Sequence, residues 1–288
     1  MYFLLKTFSF LVSLLPEKFI YAISSFFTRM VFFIWRSKRK NIRENYKTIL
    51  EYKFNQQPAK KFLNHIMKKN FTHYGMFSAE FLMLKKLDKK GKIHYDFAGQ
   101  EHIKKGLSKG RGFVMCVLHF GNWDAAGAII SKTFAPAWAV ADNLGGGYSK
   151  YVQESRGRYG IKIIIPGQNL RDIYAPLENN NILNILVDRP LPAGDKKGVE
   201  ITFFGKKATV APTAARVILK SGAAAALGYA IRKQDGFHGV CSPPVEFSPS
   251  GDTRQDLQNL TQLIFYRAEK IISAHPEQWY MFRSFWQK

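Results

Sequence analysis

Acidic side chains are scarce in this sequence. Only 21 Asp and Glu stand against 43 Lys and Arg over 288 residues, which leaves a formal charge of +22. A surface so one-sided in charge favours anionic partners: phospholipid head groups, nucleic acid or an acidic carrier protein. Cysteine is scarcer still. Cys116 and Cys241 form no C-x-x-C pair and give no disulfide framework. Cys116 falls inside an apolar run and reads as a small core residue. No G-x-S-x-G elbow is present, which disfavours a covalent serine mechanism, and neither Walker A nor G-x-G-x-x-G occurs. The histidines and cysteines show no spacing expected of metal ligands, so no metal is expected. Neither a helix-turn-helix nor a basic-aromatic module is visible, so nucleic acid is not the expected partner. Internal repeats and low-complexity segments are also missing.

Unbroken apolar length is the next shortage. Residues 1–35 are rich in apolar and aromatic side chains, but Pro16-Glu17-Lys18 divides them, and each half falls short of the roughly 20 residues of a spanning helix. Arg29 lies within the second half. A cleaved signal peptide is a poor match, because no basic segment precedes Tyr2 and the apolar character runs past any plausible cleavage site. Two short helices lying in one leaflet, or one strongly tilted anchor, fit better. Arg36, Lys38, Arg39 and Lys40 follow at once, then Arg43 and Lys47. Cations beside an apolar anchor are what an anionic inner leaflet attracts, each worth about 1 kcal/mol near the surface. The expected organisation is a membrane-associating segment, 1–35, followed by one domain, 36–288, whose first part, 36–91, is a helical, basic lead-in. His65 and His73 in that lead-in read as ordinary helix-face residues.

With 46% hydrophobic residues the chain has ample material for a core. After the lead-in, short apolar strands alternate with helices, which is the signature of an α/β fold. Strands are expected at 93–97, 112–118, 137–141, 161–165, 182–187, 223–231 and 238–245, and 198–207 reads as a strand followed by a turn. Helices are expected at 100–107, after Asn122, and at 148–158, 170–177, 211–220 and 253–274. The glycine run that follows Asp142-Asn143-Leu144 reads as a flexible lip rather than a phosphate cradle.

The stretch that organises the chain is Val117-Leu118-His119-Phe120-Gly121-Asn122-Trp123-Asp124. A buried strand delivers His119 to the start of a helix, where Asn122 is a reasonable N-cap. The C-terminal ends of strands are where reactive groups gather in open α/β sheets. Asp124 falls on the helix's first turn, and a carboxylate in reach of an imidazole fixes its tautomer and raises its basicity. The plainer reading is that His119 caps a strand and Asp124 complements the helix dipole. Asp188, at the end of 182–187, is a second carboxylate in an equivalent position. Trp123 reads as core.

His-Phe-Gly-Asn-Trp-Asp resembles the H-x-x-x-x-D/E motif of membrane glycerolipid and lipid A acyltransferases, and most of all bacterial late lipid A acyltransferases and mycobacterial phosphatidylinositol mannoside acyltransferases. Val187-Asp188-Arg189, Phe203-Phe204-Gly205, Lys220-Ser221-Gly222-Ala223 and His275-Pro276-Glu277-Gln278-Trp279 are similar, in the same order, to further blocks of that family. The chain departs by carrying Asp at 124 where lipid A enzymes often have Glu, and Asp at 188 where the mannoside enzymes have Glu.

The resemblance implies a central mixed, largely parallel sheet flanked by helices. It also implies a membrane-associated O-acyltransferase on the cytoplasmic face of the bacterial inner membrane, monotopic or peripheral. It would use no cofactor, taking an acyl chain from acyl-CoA or acyl carrier protein to a hydroxyl of a glycolipid or phospholipid. His119 would be the general base. Asp124 or Asp188 would orient it, with Asp124 favoured by its place in the motif. Backbone N–H groups around Gly121 and Asn122 would serve the oxyanion, and Arg156 and Arg189 would hold a phosphate. A hydrolase using the same dyad on water is the competing enzyme.

Overall fold

The structure is a computed structural model and describes residues 1–134, 136–141, 145–165 and 171–286. The 142–144 part of the expected lip lies outside the described residues, as does the start of the helix expected at 170. The chain opens with four helices: α1 (Tyr2–Leu14), α2 (Glu17–Ile34), α3 (Arg36–Phe54) and α4 (Lys60–Lys89). It continues through β1 (Ile93–Ala98), α5 (Gln100–Leu107), β2 (Phe113–Gly121), α6 (Trp123–Thr133), β3 (Ala137–Val140), α7 (Gly146–Gly157), β4 (Ile161–Ile164), α8 (Arg171–Glu178) and β5 (Ile182–Leu186). The last part comprises β6 (Pro190–Leu191), β7 (Val199–Phe203), β8 (Lys206–Val210), α9 (Thr213–Ser221), β9 (Ala224–Arg232), β10 (Phe237–Cys241) and α10 (Thr253–Ala274). A 3₁₀ turn at Pro276–Gln278 follows.

Among the described residues, seven strands form the main sheet in the order β1-β10-β9-β2-β5-β3-β4. Every neighbouring pair is parallel except β10 with β9. The sheet is therefore mixed and mostly parallel, as expected. Strand β2 lies near its centre, between β9 and β5, with Phe113 to Leu118 all buried. A strand covered on both faces needs an unbroken apolar run rather than alternation, and Phe-Val-Met-Cys-Val-Leu supplies one. Helices close both faces. Asn122 caps α6, its Oδ1 accepting the Ala125 N–H at 2.9 Å. Asp252 caps α10 in the same way. Gly222 ends α9 at φ +66°, a conformation that favours glycine.

Two features differ from the expectation. The segment 198–207, expected as a strand followed by a turn, continues beyond that turn into a second strand, and the hairpin β7–β8 joins β6 in a separate three-stranded antiparallel sheet. Its turn residues, Phe204 and Gly205, take φ of +48° and +71°. Positive φ at both central residues suits the right-handed twist of a two-residue hairpin. Phe204 accepts that conformation because its ring is buried and Glu269 of α10 receives its N–H. The second difference is the chain after α10. It has almost no regular structure, yet Trp279, Tyr280, Met281 and Phe285 are buried. Polar side chains of the lead-in helices hold it. Asn45 donates to the Met281 and Arg283 carbonyls at 2.9 and 2.7 Å, Asn70 to that of Trp279 at 2.8 Å, and the Tyr46 hydroxyl to that of Pro276 at 2.6 Å.

No described helix is long and apolar enough to cross a membrane by itself. Helices α2 and α3 pass that test only together, across a 92° bend. Helix α2 packs along α4, where Gly75 admits Thr28 and Ser24 so closely that a Cβ would overlap them.

Candidate active site

The neighbouring parallel strands β2 and β5 end side by side, and this places His119 against Asp188. Asp188 Oδ1 lies 2.8 Å from His119 Nδ1. Its other oxygen accepts the His119 backbone N–H at 2.9 Å and the Trp279 indole N–H at 2.7 Å. Three donors around a fully buried carboxylate compensate its lost hydration. The backbone is braced as well, since Tyr280 N–H donates to the His119 carbonyl at 2.8 Å. About a third of the His119 side chain is exposed. Burial of the ring would lower its pKa. The Asp188 charge and hydrogen bond outweigh that effect, against smaller opposition from Arg283 and Arg189, and the net shift is upward. With Nδ1 donating to Asp188, the neutral ring keeps its lone pair on Nε2.

Asp124, the partner favoured by the motif, is elsewhere engaged. It is buried and accepts from Arg156 Nε at 2.6 Å. The first turn of α6 aims its side chain toward α7 rather than back to the imidazole, so the structure corrects that choice in favour of Asp188. Arg156 is correspondingly tied to Asp124. Burial alone would lower its pKa, but the Asp124 charge and hydrogen bond raise it, so it stays a cation.

Asn122 cannot serve a substrate as expected. It is fully buried, and its N–H donates to the Ala230 carbonyl at 2.9 Å. Its Oδ1 caps α6, and its Nδ2 donates to Glu80 at 3.0 Å. Gly121 is needed for the turn itself. Its φ is +60°, and a Cβ there would stand 2.0 Å from the Ala230 carbonyl oxygen. Arg189 is exposed beside the site, and Arg283, which sequence reasoning did not single out, is exposed on the C-terminal segment.

Behind Asn122 lies a buried polar network that no local sequence signal revealed. Glu80 of α4, fully buried, pairs with Arg232 at the end of β9 through contacts of 2.6 and 2.7 Å. Arg232 also donates to His73 Nδ1 at 2.9 Å. His73 is therefore no ordinary helix-face residue. Burial first, then the Arg232 charge, pushes its pKa down to about 4, which leaves it neutral and able to accept.

A narrow apolar cavity of about 70 Å³ lies between α6 and the sheet. Met115, Val117, Ala139, Leu186 and Ile129 line it together with glycines at 127, 228 and 239, against which Ile161, Met115 and Phe97 pack closely. Its polar lining includes the Asp124–Arg156 pair. Trp123 borders the same cavity and stands edge-on to the His119 ring, with centroids 5.5 Å apart, so it is a wall of the site rather than plain core. Cys116 is core as expected, and burial pushes its thiol up to about 12.

The family profile described as bacterial lipid A biosynthesis acyltransferase matches residues 1–288. The chain is similar to the phosphatidylinositol mannoside acyltransferase of Mycobacterium tuberculosis, with 25% identity over 194 residues, covering 65% of this chain and 58% of that protein. It is also similar to the enzyme of the same description from Mycolicibacterium smegmatis, with 27% identity over 192 residues, covering 65% and 60%. The match therefore spans about three fifths of the length of these relatives.

Proposed function

As the chain belongs to the bacterial lipid A biosynthesis acyltransferase family, we propose that it is an O-acyltransferase that moves a fatty acyl group from a thioester to a hydroxyl of a glycolipid. The observation that carries this reading is the His119–Asp188 contact beside an apolar cavity. His119 Nε2 takes the proton of the attacking hydroxyl while Asp188 stabilises the imidazolium that forms. The oxygen adds to the thioester carbonyl, and the tetrahedral intermediate expels the thiolate. The thiolate leaves with the proton held on His119, giving an ester and a free thiol. The cavity takes the acyl chain past Trp123. Arg156 sits in the cavity wall with its charge paired to that of Asp124, which aims the guanidinium. Arg189 and Arg283 at the rim suit phosphates of donor or acceptor.

The donor is acyl-CoA or acyl carrier protein, both steered by the positive surface. The acceptor is reached from the cytoplasmic leaflet of the inner membrane, on which α1 and α2 lie. Their outer faces support this seat: Phe3 is 79% exposed and Ile34 73%, with Phe26 and Phe27 between them.

The test supplies labelled acyl-CoA and acyl carrier protein with lipid extracts. Wild-type protein moves label to a lipid, and His119→Ala loses roughly 10² to 10⁴ of that rate with its fold intact. Label appearing only as free fatty acid would replace the transferase with the hydrolase. A His119→Ala variant retaining more than about a tenth of the rate would remove the general base.

A further inference from the structure

Away from the dyad, on strands β1 and β10, His94 meets two side chains far from it in sequence, Asp235 and His238. His94 and His238 are register partners in the parallel β1–β10 pairing, and their rings stack with centroids 4.2 Å apart. Asp235, in the β9–β10 turn, faces both Nε2 atoms. Its two oxygens lie 2.9 Å from that of His238, and its nearer approach to that of His94 is 3.7 Å. One donor atom from each residue lies within 4.8 Å of the other two. His94 Nε2 is itself buried and has no hydrogen-bond partner. A buried nitrogen left unpaired in a native structure calls for an explanation.

We propose that His94, Asp235 and His238 form a binding site for a divalent transition-metal ion, with zinc as the best chemical match. The donor set is two imidazoles and a carboxylate, the borderline mixture that zinc shares with its first-row neighbours. Bonds of ~2.1 Å in tetrahedral array separate donors by ~3.4 Å. The observed carboxylate-to-imidazole distances of 2.9 and 3.7 Å bracket that separation, the two histidine donors lie within 4.8 Å of each other, and the stacked rings must turn for both lone pairs to meet on one ion. An ion would satisfy the orphan His94 nitrogen, and would replace the hydrogen bond that Asp235 accepts from His238 with a bond to each.

The chain supplies three ligands and leaves a fourth position to water. The consequence is structural, because the ion would tie edge strand β1 to the β9–β10 hairpin, the hairpin whose β9 end carries Arg232 of the buried network. Sequence spacing concealed the site. His94 lies in a different part of the chain from Asp235 and His238, and only the parallel pairing of β1 with β10 brings it to them.

The site stands independently of acyl transfer, and its test reads the metal. Tag-free, metal-stripped full-length protein is titrated with Co²⁺, followed by visible absorption, and then with Zn²⁺ by calorimetry. One Co²⁺ per chain should give intense tetrahedral d–d bands that Zn²⁺ abolishes, and saturating Zn²⁺ should raise the melting temperature. His94→Ala, His238→Ala and Asp235→Asn should each weaken binding by at least the roughly 10- to 100-fold that changes behind a ligand already bring. Asp235 is 60% exposed in a turn, so its substitution keeps the test meaningful should a histidine variant misfold. Absence of a cobalt spectrum overturns the site. So does binding that the three substitutions leave unchanged, which would place the ion on other histidines.

Discussion

His119 and Asp188 form a hydrogen-bonded pair whose direction of pKa shift has a kinetic consequence. As the proposed general base, His119 must be neutral, and Asp188 raises the pKa of the ring against the opposing effect of burial. The acidic limb of kcat/KM should therefore lie above the ordinary histidine value of about 6.5, with activity falling as pH drops through the raised pKa. In Asp188→Asn the raising interactions vanish, while burial and the charges of Arg283 and Arg189 remain. That limb should move to lower pH, and the rate at its plateau should fall by about 10² or more. Asp124→Asn should leave the limb in place, since Asp124 holds Arg156 instead. A pH–rate profile of the three proteins checks this, and a limb that follows Asp124 rather than Asp188 would reverse the assignment. Both carboxylates were legible in the sequence as residues at the ends of buried strands or the start of a helix. The choice between them was not. Asp188 is 69 residues from His119, and only the adjacency of β2 and β5 brings it near. Nearness along the chain favoured Asp124, but helix α6 carries that side chain to α7.

At the scale of elements, apolar runs and caps indicated most strands and helices to within a few residues, because each depends on local composition. What escaped depends on distant partners. The β6–β8–β7 sheet separates from the main one because its strands pack on α10: Phe203 meets Phe265 edge-on, and Gln262 exchanges hydrogen bonds with the Thr202 backbone. The C-terminal segment is ordered by Asn45, Tyr46 and Asn70, so its Trp279 reaches Asp188 without any helix or strand to announce it. The Glu80–Arg232 pair is the clearest case, one residue in a long helix and one at a strand end. It fastens α4 to the turn that presents His119, through Asn122. Removing one partner strands a buried charge, and Arg232→Met or Glu80→Gln should each lower stability by about 3–5 kcal/mol. The double variant should recover much of that loss, because both charges leave together. Urea denaturation of the four proteins measures the coupling. Strict additivity of the two single losses would show that the pair does not act as a unit.

On the scale of the whole molecule, charge and apolar surface converge on one end of the chain. Helices α1 and α2 leave Phe3, Leu4, Phe8, Phe26, Phe27 and Phe33 exposed, and the cations of α3 begin immediately after them. Helix α2 is not simply an appendage, since Ile20 and Phe32 are buried in the core and Thr28 seats against Gly75. Deleting 1–35 would therefore uncover α4 as well as remove the proposed membrane contact, and outward-facing point substitutions make the sharper test. We expect full-length protein to stay on vesicles of phosphatidylethanolamine and phosphatidylglycerol at 1 M salt, where the screening length is only about 3 Å, because apolar burial persists when Coulomb attraction is screened. Phe26→Glu with Phe27→Glu should release it at any salt concentration while leaving the melting temperature within a few degrees, as neither ring belongs to the core. Replacing Arg36, Lys38, Arg39 and Lys40 with Gln should weaken binding only at low salt, by about 1 kcal/mol per charge at most. Flotation of the vesicles across a salt series separates the two contributions. Complete release of the unaltered chain by salt would mean that charge alone holds it, and that the phenylalanines of α1 and α2 face something other than lipid.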